Sequence, residues 1–138
     1  MPVTAPKNNI QENKQMPTLL PLDILLRYLE PAYREGLKKY YRESWRLGFP
    51  VSVMIDASLR HTTKFFYEKE DFDPDAAKLG IVKHHLAGAI FSLLCVLQTL
   101  EKHPRLDDRF FPVKKSTDPI DELLTEDDFE GVGKDIVP

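Results

Sequence analysis

Apolar positions recur at three- and four-residue spacing over three stretches of the chain, and each stretch predicts a helix. In the first, from Pro21 to Tyr41, the stripe is Leu22, Leu25, Leu26, Leu29, Tyr33, Leu37 and Tyr40. Pro21 suits a first helical turn. Pro31 falls inside the pattern. It lacks an N–H and crowds the carbonyl four residues back, so a kink or break is expected near Leu29–Glu30. Gly48 and Pro50 close the region. The second helix is expected to start at Ser52 as its N-cap and to run to about Glu68. It would bury Ile55, Leu59, Thr62 and Phe66. Asp56 and Arg60 share another face, continued by Thr63 and Tyr67, and His61 lies on its own flank. The third helix is expected from Ala77 or Ile81 to Lys102, with Pro104 enforcing the stop. Its apolar face is broad: Val82, Leu86, Ala89, Ile90, Leu93, Val96, Leu97 and Leu100. Gly80 and Gly88 are small enough to let helices approach closely.

The connecting stretches are polar. Glu68-Lys-Glu-Asp-Phe-Asp-Pro-Asp75 carries five acids in eight residues and the turn signal Asp73-Pro74. Residues 1–18 contain Pro2, Pro6 and Pro17 and read as an extended arm. The C-terminal stretch is acidic, with room for one short helix over Asp118 to Leu124. No internal repeat and no hairpin-spaced strand pair is present. The pattern predicts an all-α fold, a compact bundle of three to four helices with extended N- and C-terminal arms. The helical domain would span 19–112, and the tail 113–138.

With 138 residues, 42% apolar and 30% charged, the chain has the size and composition of one globular domain. No apolar run reaches the roughly 18 to 20 residues of a membrane span, so no membrane association is expected. The N-terminus has no apolar core of a secretory signal. The single cysteine, Cys95, lies in the most apolar segment and reads as a core residue. A cytoplasmic location follows as the expectation. The charge is uneven. Ser116 to Pro138 holds eight acids against Lys134 alone, a net −7, which leaves the preceding residues at +4 of the overall −3. A body so weakly basic suits small anions and does not predict direct nucleic-acid binding.

Phosphate loops, Cys-x-x-Cys pairs, His-Glu-x-x-His and nucleophile elbows are all absent from the sequence. The chemistry-bearing residues are acidic and imidazole groups. They are Asp56, Arg60 and His61 on the second helix, Glu70, Asp71, Asp73 and Asp75 in the loop, and His84 and His85 on the third helix. Oxygen ligands suit Mg²⁺ or Mn²⁺, and histidine tilts the balance toward Mn²⁺ or another transition metal. Such an ion would face a polyphosphate, with Arg60 or Lys39 neutralising phosphate oxygens. The same residues also read as a solvated acidic loop and a surface Asp56–Arg60 pair. His84 and His85 point about 100° apart on a helix, so one metal does not easily take both. Trp45 reads as a packing anchor or as a stacking face for a base.

Several segments, taken in order, resemble one family. They are Gly36-Leu-Lys-Lys-Tyr40 with Trp45-Arg-Leu-Gly48, Asp56-Ala-Ser-Leu-Arg-His61, the acidic stretch from Glu68 to Asp75, and His85-Leu-Ala-Gly-Ala89. The chain is similar there, over roughly Leu19 to Leu100, to the N-terminal domain family of dATP/dGTP diphosphohydrolases. These are common in bacteriophages and similar to MazG-type all-α nucleotide pyrophosphohydrolases. Gly88 stands where the family pattern has a second histidine, and Ser92 where it has an asparagine.

The resemblance implies metal-dependent hydrolysis of a purine (deoxy)nucleoside triphosphate to monophosphate and pyrophosphate. It implies Asp56, Glu70, Asp73 and His85 as metal ligands, with Asp56, His61 and Glu70 as the catalytic groups. Lys39 and Arg60 would hold phosphate, and Tyr40 or Trp45 the base. Gly88 and Ser92 keep open a non-catalytic nucleotide-binding protein on the same scaffold. A structural or partner-binding phage protein, working through its arms, stays open as well. Three amphipathic helices leave apolar area over, and Phe110-Phe111 lies beyond them, so a homo-oligomer is expected.

Overall fold

The computed structural model describes residues 3–6 and 13–110. Phe111, the acidic tail and the helix expected over Asp118 to Leu124 lie outside the described residues. Within them the fold is helical, with no strand and one isolated antiparallel bridge, Phe72 to His84. No helix among them is long and apolar enough to cross a membrane.

A 3₁₀ turn over Pro17–Leu19 precedes α1, Leu22–Ile24, which runs through a π-helical turn at Leu25–Leu29 into α2, Glu30–Lys39. The chain does not break at Pro31, which sits in the first turn of α2. Instead the Glu30 N–H reaches back five residues to the Leu25 carbonyl. The widened turn takes up the ring that would crowd an ordinary α-turn.

A second 3₁₀ turn, Ser44–Leu47, leads into α3, Val51–Phe66. One-turn α4, Pro74–Ala77, and long α5, His85–Lys102, follow. The third helix therefore starts later than the apolar pattern suggested. Gly80, at φ +78°, turns the chain out of α4, and Val82 is exposed. Residues 71–73 and 83–85 then pair as extended backbone. Asp73 N–H bonds the Lys83 carbonyl at 2.9 Å and His85 N–H the Asp71 carbonyl at 2.8 Å. His84 is the true N-cap of α5, its Nδ1 accepting the Leu86 N–H at 3.0 Å.

The core lies between α3 and α5. Val51, Met54, Cys95 and Val96 are buried, with Trp45, Phe49, Ile55, Phe91 and Leu100 packed around them. The contacting faces are rotated from the large-apolar stripes. On α3 the buried positions are Val51, Met54 and Ser58, whereas Leu59 and Phe66 are 59% and 65% exposed. On α5 they include His85, Gly88, Ser92, Cys95 and Thr99, whereas Leu97 is 64% exposed. The hydroxyls are satisfied locally: Ser92 Oγ donates to the Gly88 carbonyl and Ser58 Oγ to the Ile55 carbonyl. Small residues let the two backbones approach, and α5 presents its leucines outward. Cys95 is fully buried, as its sequence context suggested, and burial pushes its thiol up to about 12.

The start of α3 differs from expectation as well. Its N-cap position is Pro50, and Ser52 lies inside the helix. The cap comes from far along the chain: Asp108 accepts the Ser52 N–H at 2.8 Å and the Ser52 hydroxyl at 2.6 Å. A carboxylate at a helix N-terminus satisfies an orphan donor and meets the positive end of the dipole. Desolvation pushes the Asp108 carboxyl up, but the Ser52 donors outweigh it and the carboxyl stays below its usual value. Its contribution is complete above the unfolded-state value of about 3.9 and is lost as pH falls through the folded one. Asp108→Ala is expected to lower stability at pH 7 by at most about 1 kcal/mol, since the site is exposed. The loss should shrink as pH falls below about 3.9, as denaturant melts at pH 7 and at progressively lower pH would show.

Candidate functional site

Three pieces of the chain meet at one end of the α3–α5 pair. His61 follows Met54 and Ser58 on the inward side of α3. His85, the first residue of α5, is 1% exposed. The loop between them brings in Glu70, whose N–H is held by the Lys64 carbonyl, and Asp73, the N-cap of α4. The backbone pairing of 71–73 with 83–85 fixes the loop against the start of α5.

The side chains form a chain of contacts. His85 Nε2 lies 2.7 Å from Glu70 Oε1, and His85 Nδ1 lies 2.9 Å from His61 Nδ1. A carboxylate only accepts, so His85 Nε2 donates to Glu70. That leaves His85 Nδ1 facing His61 Nδ1: without an ion the His61 Nδ1–H donates across the 2.9 Å gap, and an ion there would take both Nδ1 atoms, the His61 proton then residing on Nε2. The His61 ring lies over Gly88: a Cβ there would come within 2.8 Å of Nε2 and 2.9 Å of two ring carbons. His61 thus occupies the space that Gly88 leaves by having no side chain. Asp73 Oδ1 accepts the Asp75 N–H at 2.9 Å, and its Oδ2 faces Lys83 Nζ at 3.1 Å.

His61, Asp73 and His85 can each direct one ligand atom into a space where all three atoms lie within 4.8 Å of one another. The electrostatics prepare two of them as ligands. Burial, and then the positive charge of Lys83, push His61 below its ordinary value, so the ring stays neutral. Burial pushes Asp73 up, but the Asp75 N–H and Lys83 outweigh it, so the carboxyl stays ionised. Neutral imidazole and carboxylate are the forms that bind metal. Glu70, behind His85, fixes that ring's orientation as carboxylates do for metal-binding histidines. The donor set fits a divalent ion with mixed nitrogen and oxygen preference.

Glu35 and Lys83 were not among the sequence candidates. Lys83 Nζ lies 2.6 Å from Glu35 Oε1, and Glu35 Oε2 lies 3.4 Å from Lys39 Nζ. Glu35 also lines a cavity of about 550 Å³ with Lys39, Tyr40 and Trp45. That volume suits a nucleotide-sized ligand. Three of the four substrate-binding candidates therefore share one cavity, and Glu35 joins it to the His–Asp–His cluster. Trp45 is held there by Tyr33, edge-on at 5.5 Å, and by the Arg46 guanidinium at 4.3 Å. Its turn is pinned to the end of α5 by Phe49 N–H to Thr99 Oγ1 at 3.2 Å and His103 Nε2 to the Arg46 carbonyl at 2.8 Å.

Asp56 and Arg60 are not brought to this cluster within one chain. Asp56 sits five residues before His61, about 140° around the helix. Both line a separate open groove of about 430 Å³ with Leu59, Thr63, Lys64 and Glu68. Neither makes an ion pair with the other or with another described residue, so the surface Asp56–Arg60 pair is not formed either. His84 caps α5 and packs against Phe65 and Phe72, at 5.4 and 5.3 Å, outside the cluster.

Residues 4–109 match the family model described as dATP/dGTP diphosphohydrolase, N-terminal. The chain belongs to this family. The match takes in every residue of the cluster and of the adjoining cavity. Within this family member, Gly88 is the residue that makes room for the His61 ring. Neither the curated proteins nor the solved structures give a significant match to the chain.

Proposed function

We propose that this protein hydrolyses a purine (deoxy)nucleoside triphosphate to the monophosphate and pyrophosphate, with one divalent ion held by His61, Asp73 and His85. The convergence of these three groups beside a nucleotide-sized cavity carries the reading. Two nitrogen donors favour Mn²⁺ over Mg²⁺, which prefers an all-oxygen shell. The ion, when bound, supplies polarisation of the phosphate and of the attacking water. Glu70 orients His85 through its 2.7 Å hydrogen bond. Lys39, at the cavity wall, is the group to meet phosphate oxygens, and Tyr40 and Trp45 offer aromatic surface to the base. Asp56 and Arg60 stand apart from this centre, in the groove on the outer face of α3.

The direct assay is product release from dATP, dGTP, ATP and GTP with Mn²⁺ or Mg²⁺. Monophosphate and pyrophosphate in equal amounts are expected, faster with Mn²⁺. Orthophosphate with a diphosphate product would contradict the reaction. A nucleotide-dependent rise in melting temperature without turnover would instead favour the non-catalytic nucleotide-binding protein.

The second element of the proposal is a homo-oligomer. Leu86, Ile90, Leu93 and Leu97 form an exposed apolar row on α5, the side turned away from α3. A row of this kind suits a second copy of the chain. Sedimentation at micromolar concentration should show a species heavier than 15.9 kDa. Leu93→Asp with Leu97→Asp should convert it to monomer with helix content retained. A wild-type monomer would contradict this part.

A further inference from the structure

Lys83 belongs to neither long helix, yet its side chain is only 7% exposed. Its Nζ faces Glu35 Oε1 at 2.6 Å and Asp73 Oδ2 at 3.1 Å, and both carboxylate side chains are only 9% exposed. Lysine is a compact, strongly hydrated cation that is rarely buried without full compensation. Two anionic oxygens from different elements converging on one cation is also the arrangement that hard divalent ions demand. Asp73 is shared: it belongs to this group and to the His61–Asp73–His85 cluster. Sites that handle phosphate commonly hold two divalent ions about 3.5 to 4 Å apart.

We propose that the Lys83 ammonium is a built-in cation that holds the place of a divalent ion between Glu35 and Asp73. The chain thereby takes one ion fewer than its carboxylates would otherwise recruit. The inference rests on the metal reading of the neighbouring cluster and specifies how many ions that region accepts. Charge supports it. Glu35 and Asp73 carry two negative charges, Lys83 one positive, and Lys39, 3.4 Å from Glu35 Oε2 on the exposed side, a second. The Lys83 ammonium already sits between Glu35 and Asp73, so an ion placed between those two carboxylates would have to displace it. With Lys83 shortened, two buried carboxylates lose their nearest cation. Such groups must then protonate or capture a cation. Lys83 also occupies one oxygen of Asp73.

The test is calorimetric titration of the full chain with Mn²⁺, without nucleotide, for wild type, Lys83→Ala and Lys83→Ala/Glu35→Gln. The expected result is one additional Mn²⁺ per chain in Lys83→Ala relative to wild type, lost again in the double variant. Electron paramagnetic resonance should show spin coupling between two Mn²⁺ ions in Lys83→Ala alone. The metal-free Lys83→Ala should melt lower than wild type, and Mn²⁺ should restore it. If the variant does not fold without metal, refolding in Mn²⁺ and counting bound metal after desalting gives the same comparison. Equal Mn²⁺ numbers in wild type and Lys83→Ala would overturn the inference. So would coupled Mn²⁺ pairs in the wild type. A wild type without Mn²⁺, beside a Lys83→Ala that binds one, would instead sink the metal reading of the His61 cluster and leave Lys83 as assigned.

Discussion

His85→Ala is expected to remove Mn²⁺ binding and to lower pyrophosphate release by at least about 100-fold. Loss of even an outer partner of a metal ligand costs about 10 to 100-fold, and a ligand itself more. His85 is also the link between Glu70 and His61, at 2.7 and 2.9 Å, so its removal frees both. The ring is 1% exposed, and truncating it leaves a void, so some stability is lost too. Glu70→Gln separates the two effects. Its amide oxygen can still face His85, the carboxylate is half-open to solvent, and a fall of about tenfold in metal affinity is expected with little change in melting temperature. Calorimetry with Mn²⁺ and a melting curve on both variants check this. Full turnover in His85→Ala would show that the chemistry lies elsewhere, the Asp56–Arg60 groove being the alternative place to look.

Gly88→Ala is expected to lower stability although it removes no chemical group. The new Cβ would lie 2.8 to 2.9 Å from three atoms of the His61 ring, inside any permitted contact. The ring is confined by His85 on one side, so it cannot yield without leaving Nδ1 of that residue. Overpacking of this kind costs roughly 1 to 3 kcal/mol. An ordinary Gly→Ala change inside a helix would instead gain up to about 1 kcal/mol from propensity. The sign of the stability change therefore reports whether the ring sits where described. Metal affinity should fall in parallel. A more stable Gly88→Ala protein with unchanged Mn²⁺ binding would contradict the geometry.

The three main helices were legible in the apolar periodicity, and so was the loop between the last two. The buried faces were not. Periodicity weights large apolar residues, but α3 and α5 meet through Ser58, Gly88, Ser92, Cys95 and Thr99, while Leu59, Phe66 and Leu97 face outward. Small residues allow close approach, and a stripe of leucines on a single chain can serve a different contact. Pro31 signalled a disturbance that the backbone resolves by widening one turn instead of breaking. The Ser52 cap failed because its partner, Asp108, lies 56 residues away and no local pattern reveals it.

The candidate site was legible in part for the same reasons. The density of acids and imidazoles pointed to Glu70, Asp73, His85 and His61, and the structure brings these four together. Asp56 and Arg60 share the helix of His61 but not its face, and the four-residue spacing that paired them said nothing about where that face points. Glu35 lies off the apolar stripe of its helix and Lys83 stands beside two histidines, and no local pattern singles out either. Only the tertiary fold sets them against Asp73. Gly88 looked like a missing ligand. In three dimensions it is the space that the His61 ring requires.

The central claim is that a divalent ion is held here by two imidazoles and a carboxylate. Electron spin-echo envelope modulation of Mn²⁺ bound to the protein tests it most directly. The account predicts nitrogen modulation from two histidine rings in the wild type and from one at most in His85→Ala. A Mn²⁺ signal with no nitrogen modulation, the signature of an all-oxygen shell, would contradict it.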